Sequence, residues 1–299
     1  MSHDAESPTQ RARMTRREFL SLAAKWSAGA GFAGAAYGGL FERTHIVLRR
    51  VEVRLDRLPE AMDGLTIAQM SDLHYDRHFS AGVIRRGVEL IAELKPDLVA
   101  LTGDFVTVPF HRKYDRDAAV NATPCAELLA PLRAPLGVYA VLGNHDSHTD
   151  PGFVTGALTD HGIRVLQNEA LPLERNNSRV WLAGVGDVLT GFAHLKDTLK
   201  SIPSSEATIL LAHEPDFADE AARHPVDLQL SGHSHGGQIR LPLLGAPILP
   251  EMGRKYPRGL RKVGRTTLYT NVGLGTIIVP VRVLSPPEVT LLTLRSGSP

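Results

Sequence analysis

Beyond about His45 the chain alternates between short apolar runs and stretches in which apolar residues recur every three or four positions. Val47, Val51, Val53 and Leu55 sit among charged residues in rough alternation, which predicts a strand with one solvated face. Residues 65–70 predict a short apolar strand. Ser80 then reads as a helix cap, and Val83, Ile84, Val88, Ile91 and Leu94 follow at helical spacing until Lys95-Pro96 stops the helix. The same alternation predicts a strand at 97–102, a helix at 118–132 with Pro124 early in it, a strand at 138–142, a helix at 151–161 and a short strand within 162–166. Residues 171–174 and 180–185 predict a hairpin that turns at Asn176-Asn177-Ser178. A helix at 192–200, a strand at 208–211, a helix at 215–223 and a strand at 228–230 come next. The remainder looks mostly β, with strands at 238–241, 266–271 and 288–294.

Strand–helix alternation argues for an α/β layered fold. The hairpin and the β-rich end argue for a mixed sheet, or for two sheets packed together with helices outside. Metal-ligand residues gather where apolar runs stop: Ser71-Asp72-Leu73-His74, Gly103-Asp104, Gly143-Asn144-His145-Asp146, Ala212-His213-Glu214 and Gly232-His233-Ser234-His235-Gly236. Open α/β sheets place their sites at the carboxyl ends of strands. Singly these motifs are weak, since Asp-x-His and Gly-Asp are common by chance. As a set they offer carboxylate, amide and imidazole ligands for two divalent metals with one imidazole left over. That combination points to hydrolysis of a phosphate ester by a metal-bound hydroxide.

The first forty-odd residues differ. Residues 1–13 are polar and read as disordered. Thr15-Arg16-Arg17-Glu18-Phe19-Leu20-Ser21 follows, then a weakly apolar Ala/Gly-rich stretch to about Leu40 that shows no clean helical stripe. A basic segment ahead of an apolar one reads as an export address. The paired arginines with Phe and Leu behind them resemble a twin-arginine signal, which a translocase receptor reads. That route carries folded proteins, so a metal site could be assembled before export. Ala28-Gly29-Ala30 and Ala33-Gly34-Ala35 both have small residues at the spacing that cleavage requires. An uncleaved signal would leave a membrane-anchoring helix of roughly 20 residues. The chain therefore divides into residues 1–44, signal or anchor, and a single domain at 45–299.

Composition narrows the reading only a little. At 43% hydrophobic and 22% charged over 299 residues, the chain can bury one large core or two small ones. A formal net charge of +1 gives no argument for a nucleic-acid partner. The single cysteine, Cys125, excludes a disulfide framework and a Cys-based zinc site, and reads as a small buried apolar side chain.

In this order the motifs resemble the calcineurin-like metallophosphoesterases over about residues 45–295. The run from Gly232 through Gln238-Ile239, with Asn271-Val272-Gly273-Leu274-Gly275 and Pro286-Pro287-Glu288, is similar to a bacterial branch of exported or membrane-associated phosphodiesterases. The resemblance implies a four-layer α-β-β-α sandwich, two mixed sheets flanked by helices, with a two-metal site. Carried over position by position, it gives Asp72, His74 and His235 to one metal and Asn144, His213 and His233 to the other. Asp104 bridges them. His145 binds neither metal and, protonated, donates to the departing alkoxide, with Asp146 orienting it. Mixed nitrogen and oxygen ligands suit Mn, Fe or Zn better than Mg or Ca. In much of the family the second motif is Gly-Asp-x-x-Asp. Here Thr107 stands at the last position and is expected to replace a hydrogen bond rather than a metal ligand.

Other stretches carry weaker signals. His78 and His148 lie near enough to the motifs to touch substrate. His3, His45, His111, His161, His194 and His224 read as solvated. The apolar loop 241–250 reads first as packed on the core, and alternatively as a wall for an apolar part of the substrate or a membrane contact. Arg254, Lys255, Arg258, Arg261, Lys262 and Arg265 read as a solvated hairpin, or else as an attractor for anionic polymer, lipid or substrate phosphate. The expected function is a phosphoesterase, preferably a diesterase, acting on a phosphate ester that could derive from lipid or cell envelope, in the periplasm, cell wall or outer face of the cytoplasmic membrane. A nucleotide hydrolase or lipid-headgroup pyrophosphatase of the same fold is the alternative enzyme. A metal-dependent binder of a phosphate polymer is the alternative class.

Overall fold

Two six-stranded sheets face each other in a computed structural model that describes residues 14–108 and 116–297. The expectations for residues 1–13, and for His3 and His111, lie outside the described residues. The first sheet runs β1 (Val47–Leu55), β12 (Glu288–Ser296), β2 (Thr66–Met70), β3 (Leu98–Leu101), β4 (Val138–Ala140), β5 (Arg164–Val165). Its neighbours are parallel except β12 against β2. The second runs β10 (Gly259–Val263), β11 (Thr266–Thr270), β9 (Leu228–Ser231), β8 (Thr208–Leu211), β7 (Ser178–Gly184), β6 (Glu169–Arg175). Antiparallel hairpins form its two edges around a parallel centre.

Period-two alternation builds the layers. Ile67, Leu98 and Ala100 turn inward and pack with Leu182, Ile209 and Leu230 of the second sheet. Ala68, Met70, Val99 and Leu101 turn outward onto α2 (Ala81–Leu94), α3 (Ala122–Leu129) and α5 (Pro151–Asp160). On the far side Leu210 and Ala212 meet Leu195 and Leu199 of α6 (Leu195–Leu199) and Ala221 of α7 (Ala218–Ala221). The result is a mixed four-layer α-β-β-α sandwich. Both faces of this sheet are buried, and each fully buried Leu or Ile is worth ~1.5–3 kcal/mol relative to leaving it in water. Gln69, also inward, donates through Nε2 to Thr102 Oγ1 at 3.1 Å and to the Ser231 carbonyl at 3.0 Å. This polar tie crosses the sandwich at the ends of β2 and β9, where the ligand loops begin.

Several elements depart from the periodicity. The helix expected over 118–132 is a 3-10 segment, Arg116–Asn121, followed by α3. Pro124 lies in the first turn of α3, where its missing N–H costs little. The 215–223 helix is likewise a 3-10 turn, Pro215–Phe217, and then α7, while α6 is shorter than the expected 192–200. Residues 238–241 form no strand, only isolated bridges from Ile239 to Val283 and from Leu241 to Gly245, because Gln238 sits at φ 52° and breaks the extended run. β10, unforeseen, carries Arg261 and Lys262 on an exposed hairpin with β11, so the basic cluster is solvated as its first reading held. The turn at Asn176 and Asn177 has φ 51° and 58°, the left-handed pair that a tight hairpin needs. Ser80 precedes α2 without capping it through its side chain; its Oγ accepts from Asp76 N and donates to the His74 carbonyl instead.

The N-terminal stretch is one helix, α1 (Arg16–Leu40), despite its glycines. Thr15 and Glu18 form a capping box, a signal the export reading passed over: Glu18 N donates to Thr15 Oγ1 at 3.3 Å and Thr15 N to Glu18 Oε2 at 2.8 Å. No helix among the described residues is long and apolar enough to cross a membrane. The last turn of α1 rests on segment 280–285. Arg282 N donates to the Gly38 carbonyl at 3.2 Å, and a Cβ at Gly38 would collide with the Arg282 carbonyl. Just beyond, buried Glu42 accepts from Ser285 N at 2.8 Å.

Candidate metal centre

Five loops bring the ligand residues together, each leaving the carboxyl end of a strand: β2, β3, β4, β8 and β9. Hydrogen bonds continue between neighbouring loops after the strands end. Asp72 N donates to the Gly103 carbonyl, His74 N to the Asp104 carbonyl and Gly232 N to the His213 carbonyl, each at 2.9 Å. Asp72, His74, Asp104, His233 and His235 all have positive φ, between 42° and 67°. Such backbone is sparsely populated outside glycine and persists where the surroundings hold it. Gly143 shows how tight the site is, since a Cβ there would strike the Asp104 carboxylate.

The donors converge in overlapping groups: Asp72 with His74 and His235, Asp104 with His213 and His233, and His74 with Asp104 and His145. Asp104 Oδ2 lies 3.1 Å from His213 Nε2 and 3.5 Å from His74 Nε2, so one oxygen faces both halves of the site. His235 Nε2 is 3.4 Å from Asp72 Oδ1 and 3.0 Å from His74 Nε2. The imidazoles are oriented from behind. His213 Nδ1 meets the Thr102 carbonyl at 2.6 Å and His233 Nε2 the Glu251 carbonyl at 2.7 Å. A carbonyl only accepts, so the opposite ring nitrogen keeps its lone pair for a metal. Asn144 Oδ1, His213 Nε2 and His235 Nδ1 are buried without a hydrogen-bond partner. Buried orphans are expensive, and together with the mixed nitrogen and oxygen donors they fit divalent cations well.

Electrostatics act differently on the individual ligands. Burial pushes His74 down to about 3 and His233 to about 4, so both are neutral donors at neutral pH. Burial raises Asp72 to about 6. Burial also works against the charged form of Asp104, but His213, His145 and His74 outweigh it and hold that carboxyl well below its usual range. The converse holds at His213, where burial opposes charge and the Asp104 carboxylate prevails, holding the imidazole well above its ordinary value.

One sequence expectation needs correction. Asp146 does not orient His145. Its carboxylate accepts from Asp104 N at 2.8 Å, Phe105 N at 2.9 Å, Val106 N at 3.1 Å and Gly143 N at 3.0 Å, which uses both oxygens. Asp146 therefore braces the loop that carries Asp104 against the loop that carries Asn144. His145 is instead held by backbone: its Nδ1 accepts from Val108 N at 2.9 Å, which leaves the ring proton on Nε2. Burial, aided by His213 and His148 and opposed by the Asp104 carboxylate, lowers its pKa. By contrast Thr107 does what was expected of it, with Oγ1 3.0 Å from His74 Nδ1.

The ligand-bearing ends open into a cleft of about 450 Å³ lined by Asp104, Asn144, His145, His148, His233 and His235 on one side. His148 is thus at the cleft, whereas His78 is exposed on the preceding loop. Sequence reasoning missed Arg282, which is fully buried and donates to the carbonyls of Val272, Gly273, Gly275 and Ser285. It knots the loop whose Gly275 N donates to the Asp72 carbonyl at 2.7 Å. A lone Arg inside the apolar run 277–284 was the available signal. Asp187 and Glu214 form a second buried acidic pair beside His213; burial and Asp187 hold the Glu214 carboxyl well above its usual range.

Comparison with known proteins agrees with this geometry. A family model described as calcineurin-like phosphoesterase matches residues 65–237. A metallophosphoesterase of Bacillus subtilis, YkuE, is 36% identical over 290 residues, covering 95% of this chain and 99% of its own. The phosphodiesterase YaeI of Escherichia coli is 33% identical over 290 residues, covering 94% and 99%. The UDP-2,3-diacylglucosamine pyrophosphatase LpxG of Chlamydia muridarum is 28% identical over 306 residues, covering 82% and 88%.

Proposed function

The chain belongs to the calcineurin-like phosphoesterases and is a metal-dependent phosphoric ester hydrolase, and on that premise we propose that it is a phosphodiesterase acting outside the cytoplasmic membrane. The observation that carries the catalytic part is the placement of Asp104 Oδ2 between His213 and His74, with the orphaned Asn144 Oδ1 and the His145 ring in the same cleft. Asp72, His74 and His235 would hold one cation; Asn144, His213 and His233 the other; Asp104 would reach both. Divalent ions bound there supply an activated water and neutralise charge on the phosphoryl oxygens. His145 holds its Nε2 proton in the cleft, where the negative charge of a substrate phosphate favours the imidazolium and the proton can pass to the leaving oxygen. A binder that does not turn over its ligand has no use for such a donor.

The diester preference is supported by the likeness to YaeI. A pyrophosphatase reading is supported by the likeness to LpxG and by the apolar part of the cleft lining. The mixed donor set favours Mn, Fe or Zn. Full-length protein loaded with Mn is expected to hydrolyse bis(p-nitrophenyl) phosphate faster than p-nitrophenyl phosphate, and a chelator should abolish the activity. Full metal occupancy with no hydrolysis of any mono- or diester would sink the reading.

Arg16-Arg17 ahead of Phe19-Leu20 supports export by the twin-arginine translocase to the periplasm, cell wall or outer face of the cytoplasmic membrane, with residues 1–44 as signal or anchor and 45–299 as the catalytic domain. Cleavage after Ala30 or Ala35 would leave Gly38 and Glu42 in place against segment 280–285. Replacing Arg16 and Arg17 by Lys is expected to strand the protein in the cytoplasm, as fractionation would show. Unchanged export would exclude this route.

A further inference from the structure

Beside the metal ligands, part of the cleft lining is hydrocarbon. Val108, Ile248, Pro250, Ile277 and Ile278 supply it, and no Lys or Arg is among the described residues that line the cleft. A bare phosphate needs only the ligand side. A nucleotide, with its further phosphates, would call for a cation that the described lining does not offer. The volume, about 450 Å³, lies within the roughly 300–1,000 Å³ of small-molecule sites.

The wall is also held in place at some conformational expense. Ile278 is 75% exposed with φ 65°, a left-handed conformation that a β-branched residue rarely takes. Ile248 is 79% exposed, and Leu243 and Leu244 on the same loop stand in solvent. The loop 241–250 therefore does not pack on the core as its first reading held. Exposed, strained apolar side chains at the mouth of an active cleft do nothing for folding, which directs attention to a ligand.

What sets the wall is Gln238, three residues beyond His235. Its Oε1 accepts from Ile277 N at 2.8 Å, and its Nε2 donates to the carbonyls of Ile277 and Val279 at 3.0 Å each. Gln238 is itself buried and left-handed at φ 52°. The metal chemistry has no role for this residue. Its three hydrogen bonds fix the backbone of residues 277–279, and with it the Ile277 and Ile278 side chains, beside the strand end that supplies His233 and His235.

We propose that the wall of Ile248, Pro250, Ile277 and Ile278, clamped by Gln238, binds a hydrocarbon chain attached to the scissile phosphate, so that the preferred substrates are phosphodiesters bearing an alkyl or acyl chain. This rests on the phosphoesterase reading and adds the substrate class and the residues that select it. Gln238 acts through the wall and is a positioning residue.

The test is a series of p-nitrophenyl alkyl phosphodiesters, methyl to octyl, below their micellar concentrations, with Mn-loaded full-length protein. kcat/KM should rise about threefold to fourfold per added methylene until the wall is covered, mostly through KM. Ile248→Ser with Ile278→Ser alters two exposed side chains, so the fold is not at risk, and should flatten that dependence. Gln238→Ala should flatten it too, at unchanged metal content. The readout is the slope within each variant, which a purely structural defect would not move. A flat series from an active wild-type enzyme would overturn this inference while leaving the phosphoesterase reading intact. A steep series unaffected by the Ile pair would overturn the assignment of the wall. Absence of hydrolysis across the whole series at full metal occupancy would remove both.

Discussion

Asp104→Ala is expected to lose metal and activity together. One oxygen of this carboxylate faces His213 at 3.1 Å and His74 at 3.5 Å, and the other accepts from His145 N at 2.9 Å. Truncation removes the group that reaches both halves of the site and the negative charge that offsets two cations among buried imidazoles. Metal content, by elemental mass spectrometry, should fall from two ions per chain to one or fewer. kcat/KM should drop by at least about 10³-fold, equivalent to ~4 kcal/mol at ~1.36 kcal/mol per decade. The fold should survive. His213 owes its raised pKa to Asp104, so without that anion the ring sheds its proton rather than remaining a buried unpaired charge. Asp104→Asn is the control: it keeps an acceptor for His145 N and removes the charge, and should fold like wild type yet bind metal poorly. Two tightly held metals and a wild-type rate in Asp104→Ala would dismiss the bridge.

His145→Ala should behave in the opposite way, keeping both metals and losing most turnover. Its backbone N–H still supports Asp104, and the seven assigned ligands are untouched. Removal of a positioned proton donor reduces turnover by about 10²–10⁴-fold. The loss should depend on the leaving group. A nitrophenolate departs without help, whereas an alkoxide does not, so alkyl esters should suffer far more than aryl ones. Because the ring groups with His74 and Asp104, the competing possibility is that it binds metal. Metal loss in His145→Ala, or a deficit equal for alkyl and aryl leaving groups, would favour that and remove the donor role.

Much of the architecture was legible because it depends on neighbours a few residues apart. Alternation marked β1, a short apolar run marked β2, three-four spacing marked α2, and Asn176-Asn177 marked the β6–β7 turn. Where a competing local signal intervened, boundaries moved: Pro124 shortened α3, and the glycines before Gln238 replaced a strand with a loop. The ligand residues were legible for the same reason. Five of the seven, Asp72, Asp104, Asn144, His213 and His233, are the first strong metal-ligand residues after an apolar run, with His74 and His235 two positions further on, and a strand end is where such residues are presented.

Their supports were not. Asp146 was assigned to His145 because the two are adjacent in sequence, yet three of its four partners are the N–H groups of residues 104–106, some forty positions away. Thr107 could be suspected only from the family pattern. The solvent exposure of loop 241–250 and the burial of Arg282 are properties of what lies around them, which no local pattern reports.

By itself, then, the order of apolar runs and polar strand ends determined that this is an α/β chain with a two-metal phosphoesterase ligand set. Periodicity and side-chain chemistry are local quantities. Only the tertiary structure decided how the strands divide into two sheets, that Asp146 is a brace, and that Gln238 holds an apolar wall beside the metal ligands. Those outcomes rest on hydrogen bonds and burial between segments far apart in the chain, whose distances are set only when the sheets pack.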